Sequence, residues 1–286
     1  MANTQALRRR IRSVRSTEQI TKAMKMVAAA RFRRAQARLL EARPYGHALE
    51  TVLSSLASRV QGYRHPLLVE RPERNVTLVV VTSDRGLCGA FNSNVQREAA
   101  ALFGGGRWPH VDLVLVGRKA VEFFKHRGVS PLAAHPDLPS RVTPETAAEL
   151  ARWLAARFES GETDAIYGLL NRFHSIIQQK VSLVRLLPIA RAQLGGEPST
   201  GYIYEPSPAT LLDQLLPRYI EFEVLRALLS SQAAEHAARM TAMSAATKNA
   251  GEMIDKLTRT YNRVRQASIT KELIEIVSGA QALAEG

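Results

Sequence analysis

The 286-residue chain holds a single cysteine, Cys88, few aromatics (6%) and no apolar run near about 18 residues. Each shortage excludes something. One thiol makes neither an internal disulfide nor a multi-cysteine zinc site, and it fits a reducing compartment. Without a long apolar run, no helix is expected to span a bilayer. Neither G-x-x-x-x-G-K-[ST] nor G-x-G-x-x-G occurs, so both common phosphate-cradling loops are missing. The seven histidines are scattered and none falls in an H-E-x-x-H spacing. No catalytic residue, cofactor or metal is expected.

Positive charge is plentiful and uneven. The formal net charge is +13, and Met1 to Arg43 carries twelve Lys and Arg against Glu18 and Glu41. The segment ITKAMKMVAAARFRRAQ, Ile20 to Gln36, has no acidic residue at all. Such an arm seeks nucleic acid, anionic lipid or an acidic protein surface. The first fifteen residues are Arg-rich, but their helical stripe, Leu7, Ile11 and Val14, runs on toward the Ile20 segment. They are read as mature protein rather than a transit peptide.

Periodicity divides the chain into three: residues 1–60, 61–208 and 209–286. The first reads as helix, dominated by Ala, Arg, Leu and Met, with Pro44 expected to kink or joint it. In the second, Asn75–Ser83 is β-branched, apolar and short, and with the apolar runs Val111–Val116 and Ala165–Leu170 it reads as a buried strand. Helical patterns at Asn94–Phe103, Arg118–His126 and Pro144–Ser160 alternate with them, which predicts a parallel, doubly wound sheet. Lys180–Leu187 alternates more and is expected to be an antiparallel edge.

The third segment reads as one long helix, with Pro217 expected at a kink or start. Met240, Met243, Thr247, Ala250, Ile254, Leu257, Tyr261 and Val264 step by three and four in alternation, a coiled-coil seam. The register fails at Ser268 and Lys271 and resumes in a shifted phase at Leu273, Ile276, Ala280 and Leu283. The fold class is therefore α/β plus long α: an antiparallel two-helix coiled coil of the N- and C-terminal helices with an inserted Rossmann-like α/β domain.

The turn SDRGLCGAFN, Ser83 to Asn92, lies where open α/β sheets bind ligands, yet its glycines lack the dinucleotide spacing. A tight turn or a protein contact is the better reading. Arg85 would lower the Cys88 pKa, but no histidine neighbours it in sequence to serve as a base. A structural or interaction protein is favoured over an enzyme. Two alternatives stand beside it: a nucleic-acid binder using the basic arm, and a Rossmann-type enzyme using this turn. Against the first, Phe32 is the only aromatic before Tyr45, so bases would find little to stack on.

Four stretches carry a resemblance. They are IRSVRSTEQITKAMKMVAAARFRRAQ (Ile11 to Gln36), TSDRGLCGAFNSN (Thr82 to Asn94), YIYEPSPATLLDQLLPRY (Tyr202 to Tyr219) and the long run from Glu235 to Leu283. In order and spacing the chain resembles the gamma subunit of the F-type ATP synthase. The resemblance implies a central-stalk rotor that performs no bond chemistry and couples ion-driven rotation of a c-ring to conformational cycling of beta-subunit catalytic sites. Its implied partners are three alpha and three beta subunits, an epsilon subunit and the c-ring. Nucleic acid is not among them, and the membrane is met only through the ring.

The resemblance also implies contact residues. Met24 and Lys25 match a contact with an acidic lever of the beta subunits, with the Arg85–Cys88 loop near it, and basic residues such as Arg33 face acidic segments. Some relatives carry an acidic residue at the Lys25 position. Arg265, Gln266, Thr270 and Glu272 match a catch against a beta-subunit loop, where Lys271 replaces the Gln of relatives. Glu205 and Arg239 match residues supporting the lower shaft and the ring contact. The stretch Ala190–Tyr202 lacks the cysteine pair of the chloroplast form. With no transit peptide read, a bacterial location is implied, peripheral on the cytoplasmic side of the inner membrane.

Overall fold

The structure, a computed structural model, describes residues 4–60, 63–176, 178–190 and 204–284. The chain divides into two compact units, Ala28–Arg239 and Met1–Val27 with Met240–Gly286. Two long helices, α1 (Thr4–Arg59) and α5 (Pro208–Ala284), contribute to both.

The larger unit is built on a five-stranded sheet of order β3-β2-β1-β4-β5, with β1 Asn75–Val81, β2 His110–Val116, β3 Ala133–His135, β4 Ala165–Phe173 and β5 Gln179–Leu187. The first four strands are parallel and β5 is an antiparallel edge against β4. The strands are apolar on both sides because both faces are covered. Val76, Leu78 and Val80 of β1 face α2 (Phe91–Gly104) and α3 (Arg118–Lys125), meeting Val95, Ala99, Ala120 and Phe124. Val79 and Val81 belong to the opposite layer, which joins Leu150, Leu154 and Phe158 of α4 (Pro144–Glu159) to Leu53 and Leu56 of α1 and Leu212 and Leu216 of α5. Thr143 caps α4: its hydroxyl accepts from the Thr146 amide, and the Thr146 hydroxyl accepts from the Thr143 amide in return.

Close approaches fix these layers. Gly117 has φ +96° and lies against the Thr82 carbonyl, so the turn after β2 requires glycine. Gly46 of α1 has the Phe222 ring of α5 where a Cβ would stand, and Tyr45 stacks edge-on against the same ring at 5.5 Å.

In the smaller unit the two helices run in opposite directions. Arg8 Nη2 donates to the Tyr261 hydroxyl at 2.7 Å, and Thr247 Oγ1 donates to Thr21 Oγ1 at 2.9 Å. Glu18 lies against Gly251 between those two levels. Residue numbers rise on one helix as they fall on the other. On α5 the positions expected in the seam, Met240 to Val264, are each at least partly buried, as are Leu7, Ile11, Val14 and Thr21 of α1. From Ile269 to Ala280 every residue is exposed, including Leu273 and Ile276. The shifted phase thus lies beyond the level at which Thr4 begins α1, and it has no cover in this chain among the described residues.

Neither proline ends its helix, and Pro217 is not the start of α5. α1 continues through Pro44 and α5 through Pro217. An interior proline costs about 3 kcal/mol, but Leu39 and Leu49 flank Pro44 in the core, and Leu216 and Tyr219 flank Pro217. Packing on both sides outweighs the lost bond. The start of α5 is instead set by Ser207, whose hydroxyl accepts from the Thr210 amide, with Pro208 at the first helical position. Strand β3 has no counterpart in the sequence reading. It has three residues, too few for a period.

Candidate subunit-contact surface

The turn after β1 is closed by its own hydrogen bonds. The Ser83 amide and hydroxyl both donate to Asn92 Oδ1 at 3.0 Å, and Asn171 Nδ2 donates to the Phe91 carbonyl at 2.8 Å. These groups occupy the carboxyl ends of β1 and β4, the crevice where an open sheet would receive a ligand. Leu87 takes φ +63° and is 62% exposed at the turn's tip. A non-glycine residue held in the left-handed region stores backbone strain at this tip.

Cys88 lies under this tip, 1% exposed, packed with Phe91 and Ala234. Burial pushes its thiol pKa up, with Ser83, Arg239 and Asn92 opposing. The expectation that Arg85 lowers it is corrected: desolvation dominates, and the guanidinium that opposes it is Arg239. The thiol is inert by position, and Arg85 and Leu87 carry the exposed face of the turn.

Arg239 is buried beside it. Its Nη1 donates to Glu235 Oε1 at 2.6 Å, and Nη2 to the Arg85 and Gly86 carbonyls at 3.3 and 3.2 Å. One guanidinium therefore fastens α5 to the turn. Burial pushes the Glu235 carboxyl up while Arg239 pulls it down. His236, next in sequence, is pushed down to about 4 by burial and by the charges of Arg239 and Arg31. Asp84 accepts from the Arg118 amide at 3.1 Å and from the Ser140 hydroxyl. Together with Arg31, Arg34 and Arg38 these groups wall a cavity of about 330 Å³.

Of the residues singled out in the sequence, the larger unit brings Arg85, Cys88 and Arg239 together. Arg33 is exposed on α1 outside that cavity, and Glu205 is exposed ahead of α5. In the smaller unit Met24 is half-buried and Lys25 exposed on α1, while Arg265, Gln266, Thr270 and Glu272 are exposed on α5. The Thr270 hydroxyl bonds its own helix at Gln266 O, 3.0 Å. The expectation for Ala190–Tyr202 falls on residues 191–202, outside the described residues. The sequence reading missed Glu235 and His236; the Glu-x-x-x-Arg spacing, which pairs side chains on one helix face, was the available signal.

A family model described as ATP synthase matches residues 3–283. The ATP synthase gamma chain of Pelotomaculum thermopropionicum is 46% identical over 284 residues, 99% of this chain and 100% of that one. Among solved structures, a chain of the Tetrahymena thermophila mitochondrial ATP synthase, in its central stalk and c-ring, is 28% identical with a TM-score of 0.61, covering 79% of this chain and 99% of that one. A chain of the Euglena gracilis mitochondrial ATP synthase, in a structure of OSCP, F1 and c-ring in rotational state 3, has a TM-score of 0.69 at 20% identity, covering 98% and 94%, a likeness of fold.

Proposed function

The chain belongs to the ATP synthase gamma-chain family, the central-stalk rotor of F-type ATP synthase, and from that premise we propose how it works. Ion-driven rotation of a c-ring turns this chain, and its turning carries the beta-subunit catalytic sites of a three-alpha, three-beta assembly through their conformational cycle. The observation that carries the reading is the match over nearly the whole length, joined to the opposed running of α1 and α5 at Arg8–Tyr261 and Thr21–Thr247. That pairing supports an antiparallel coiled coil as the shaft. The parallel strands with helices on both faces support a Rossmann-like domain in 61–208, between shaft segments 1–60 and 209–286.

The chain itself makes and breaks no bonds in this reading. The ligand crevice of its sheet is committed to Ser83, Asn92 and Asn171. Its contacts toward acidic beta segments are Met24, Lys25, Arg33 and the Arg85–Cys88 turn. Arg265, Gln266, Thr270 and Glu272 meet a beta-subunit loop. Glu205 and Arg239 support the lower shaft, where the epsilon subunit and the ring join it. The exposed apolar residues Ile269, Leu273 and Ile276 require a sleeve that another subunit supplies. The place in the cell is peripheral, on the cytoplasmic face of a bacterial inner membrane.

Coupling of this kind is differential binding to the states of another protein. Swinging a site from mostly open to mostly closed takes about 5.5 kcal/mol, whereas one exposed ion pair supplies about 0.2–1 kcal/mol. The coupling is therefore spread over many contacts. Co-expression with alpha and beta subunits, followed by mild-detergent purification, tests the assembly. One copy of this chain is expected with three of each; its emergence alone would remove the reading.

A further inference from the structure

We propose that the cavity walled by Arg31, Arg34, Arg38, Arg85 and Arg239 is a binding site for a phosphate-type oxyanion, supplied as inorganic phosphate or as the phosphate tail of a nucleotide. This is a property of the chain by itself and is not required by the rotor role. The arginines converge from three elements. Arg31, Arg34 and Arg38 share one face of α1 at i, i+3 and i+7, Arg85 comes from the turn after β1, and Arg239 comes from α5.

The carboxylates of the cavity are already engaged. Asp84 is held by the Ser140 hydroxyl and the Arg118 amide, and Glu235 by Arg239. No ion pair to the Arg31, Arg34, Arg38 or Arg85 guanidinium is present among the described residues. Arg239 is fixed in place by Glu235 and two carbonyls, so part of the site is positioned in advance. Beneath the arginines His236, 9% exposed, lines the same cavity, and its Nδ1 has no hydrogen-bond partner among the described residues. A neutral buried imidazole among five guanidiniums is an orphan that a bound oxyanion, or water ordered by one, would satisfy. The volume of about 330 Å³ admits phosphate with room for more. Planar forked donors suit tetrahedral oxyanions better than point charges do.

Calorimetric titration of the full chain with inorganic phosphate, and separately with ATP, tests this. Saturable one-site binding with Kd about 1 mM or tighter is expected. Saturation by phosphate identifies the free anion as the source; saturation by ATP alone identifies a nucleotide tail. Arg34→Ala with Arg38→Ala weakens it about tenfold or more. Arg34→Lys with Arg38→Lys keeps the charge and the fold, checked by circular dichroism, and still weakens binding because the forks are lost. Arg9→Ala with Arg12→Ala, on exposed α1 positions elsewhere, leaves it unchanged. Absence of saturation with both ligands, or equal weakening by the Arg9/Arg12 pair, overturns the site.

Discussion

His236 gives the sharpest consequence of any single side chain. Its imidazole is held down to about 4 by burial and by Arg239 and Arg31, while in the unfolded chain it titrates near about 6.5. Between those values the unfolded chain takes up a proton that the folded one refuses. The stability this group contributes is full above about pH 6.5 and is lost as pH falls toward about 4, by up to about 3 kcal/mol. Glu235, whose carboxyl burial raises, pulls the other way over part of that range, so the comparison must isolate the histidine. Denaturant unfolding of the wild type and His236→Gln at a series of pH values does so. Their difference in stability is expected to shift by about that amount between pH 7 and 4, against the wild type at the acid end; a constant difference would show the imidazole titrating normally.

Among elements, the α1–α5 contact in the larger unit depends on Gly46 lying under Phe222. Gly46→Val would drive β-branched atoms into a ring that is itself buried in the core. A loss of about 1–3 kcal/mol is expected from overpacking, read as a lower Tm in calorimetry; an unchanged Tm would mean that the ring moves aside freely. Sequence patterning made most elements legible for definite reasons. Strands β1, β2 and β4 are apolar because both faces are covered, and β5, an edge, carries polar residues among its apolar ones. The apolar positions from Met240 to Val264 were legible because each is at least partly buried and they recur at helical spacing. The helices run through Pro44 and Pro217 because local backbone preference is weaker than the core side chains packed on both sides of them. Buried polar groups were the least legible part of the surface. Nothing local in EHAAR says that Glu235, His236 and Arg239 will face a turn lying some 150 positions earlier in the chain, since only tertiary packing sets those distances.

For the whole molecule, a net charge of +13 and a family role as a rotor place the emphasis on many modest contacts instead of one decisive one. Arg33 is exposed and lies on α1 apart from the arginine-walled cavity. Arg33→Ala in an assembled complex is expected to slow ATP synthesis by no more than several-fold, the rate equivalent of about 1 kcal/mol; abolition by that change alone would contradict distributed coupling. Most direct of all is observation of single assembled complexes with the alpha–beta ring fixed to a surface and a bead attached to this chain. The account predicts that the bead turns continuously in one direction when ATP is supplied and stops when it is withdrawn. ATP hydrolysis at full rate with the bead stationary would contradict it.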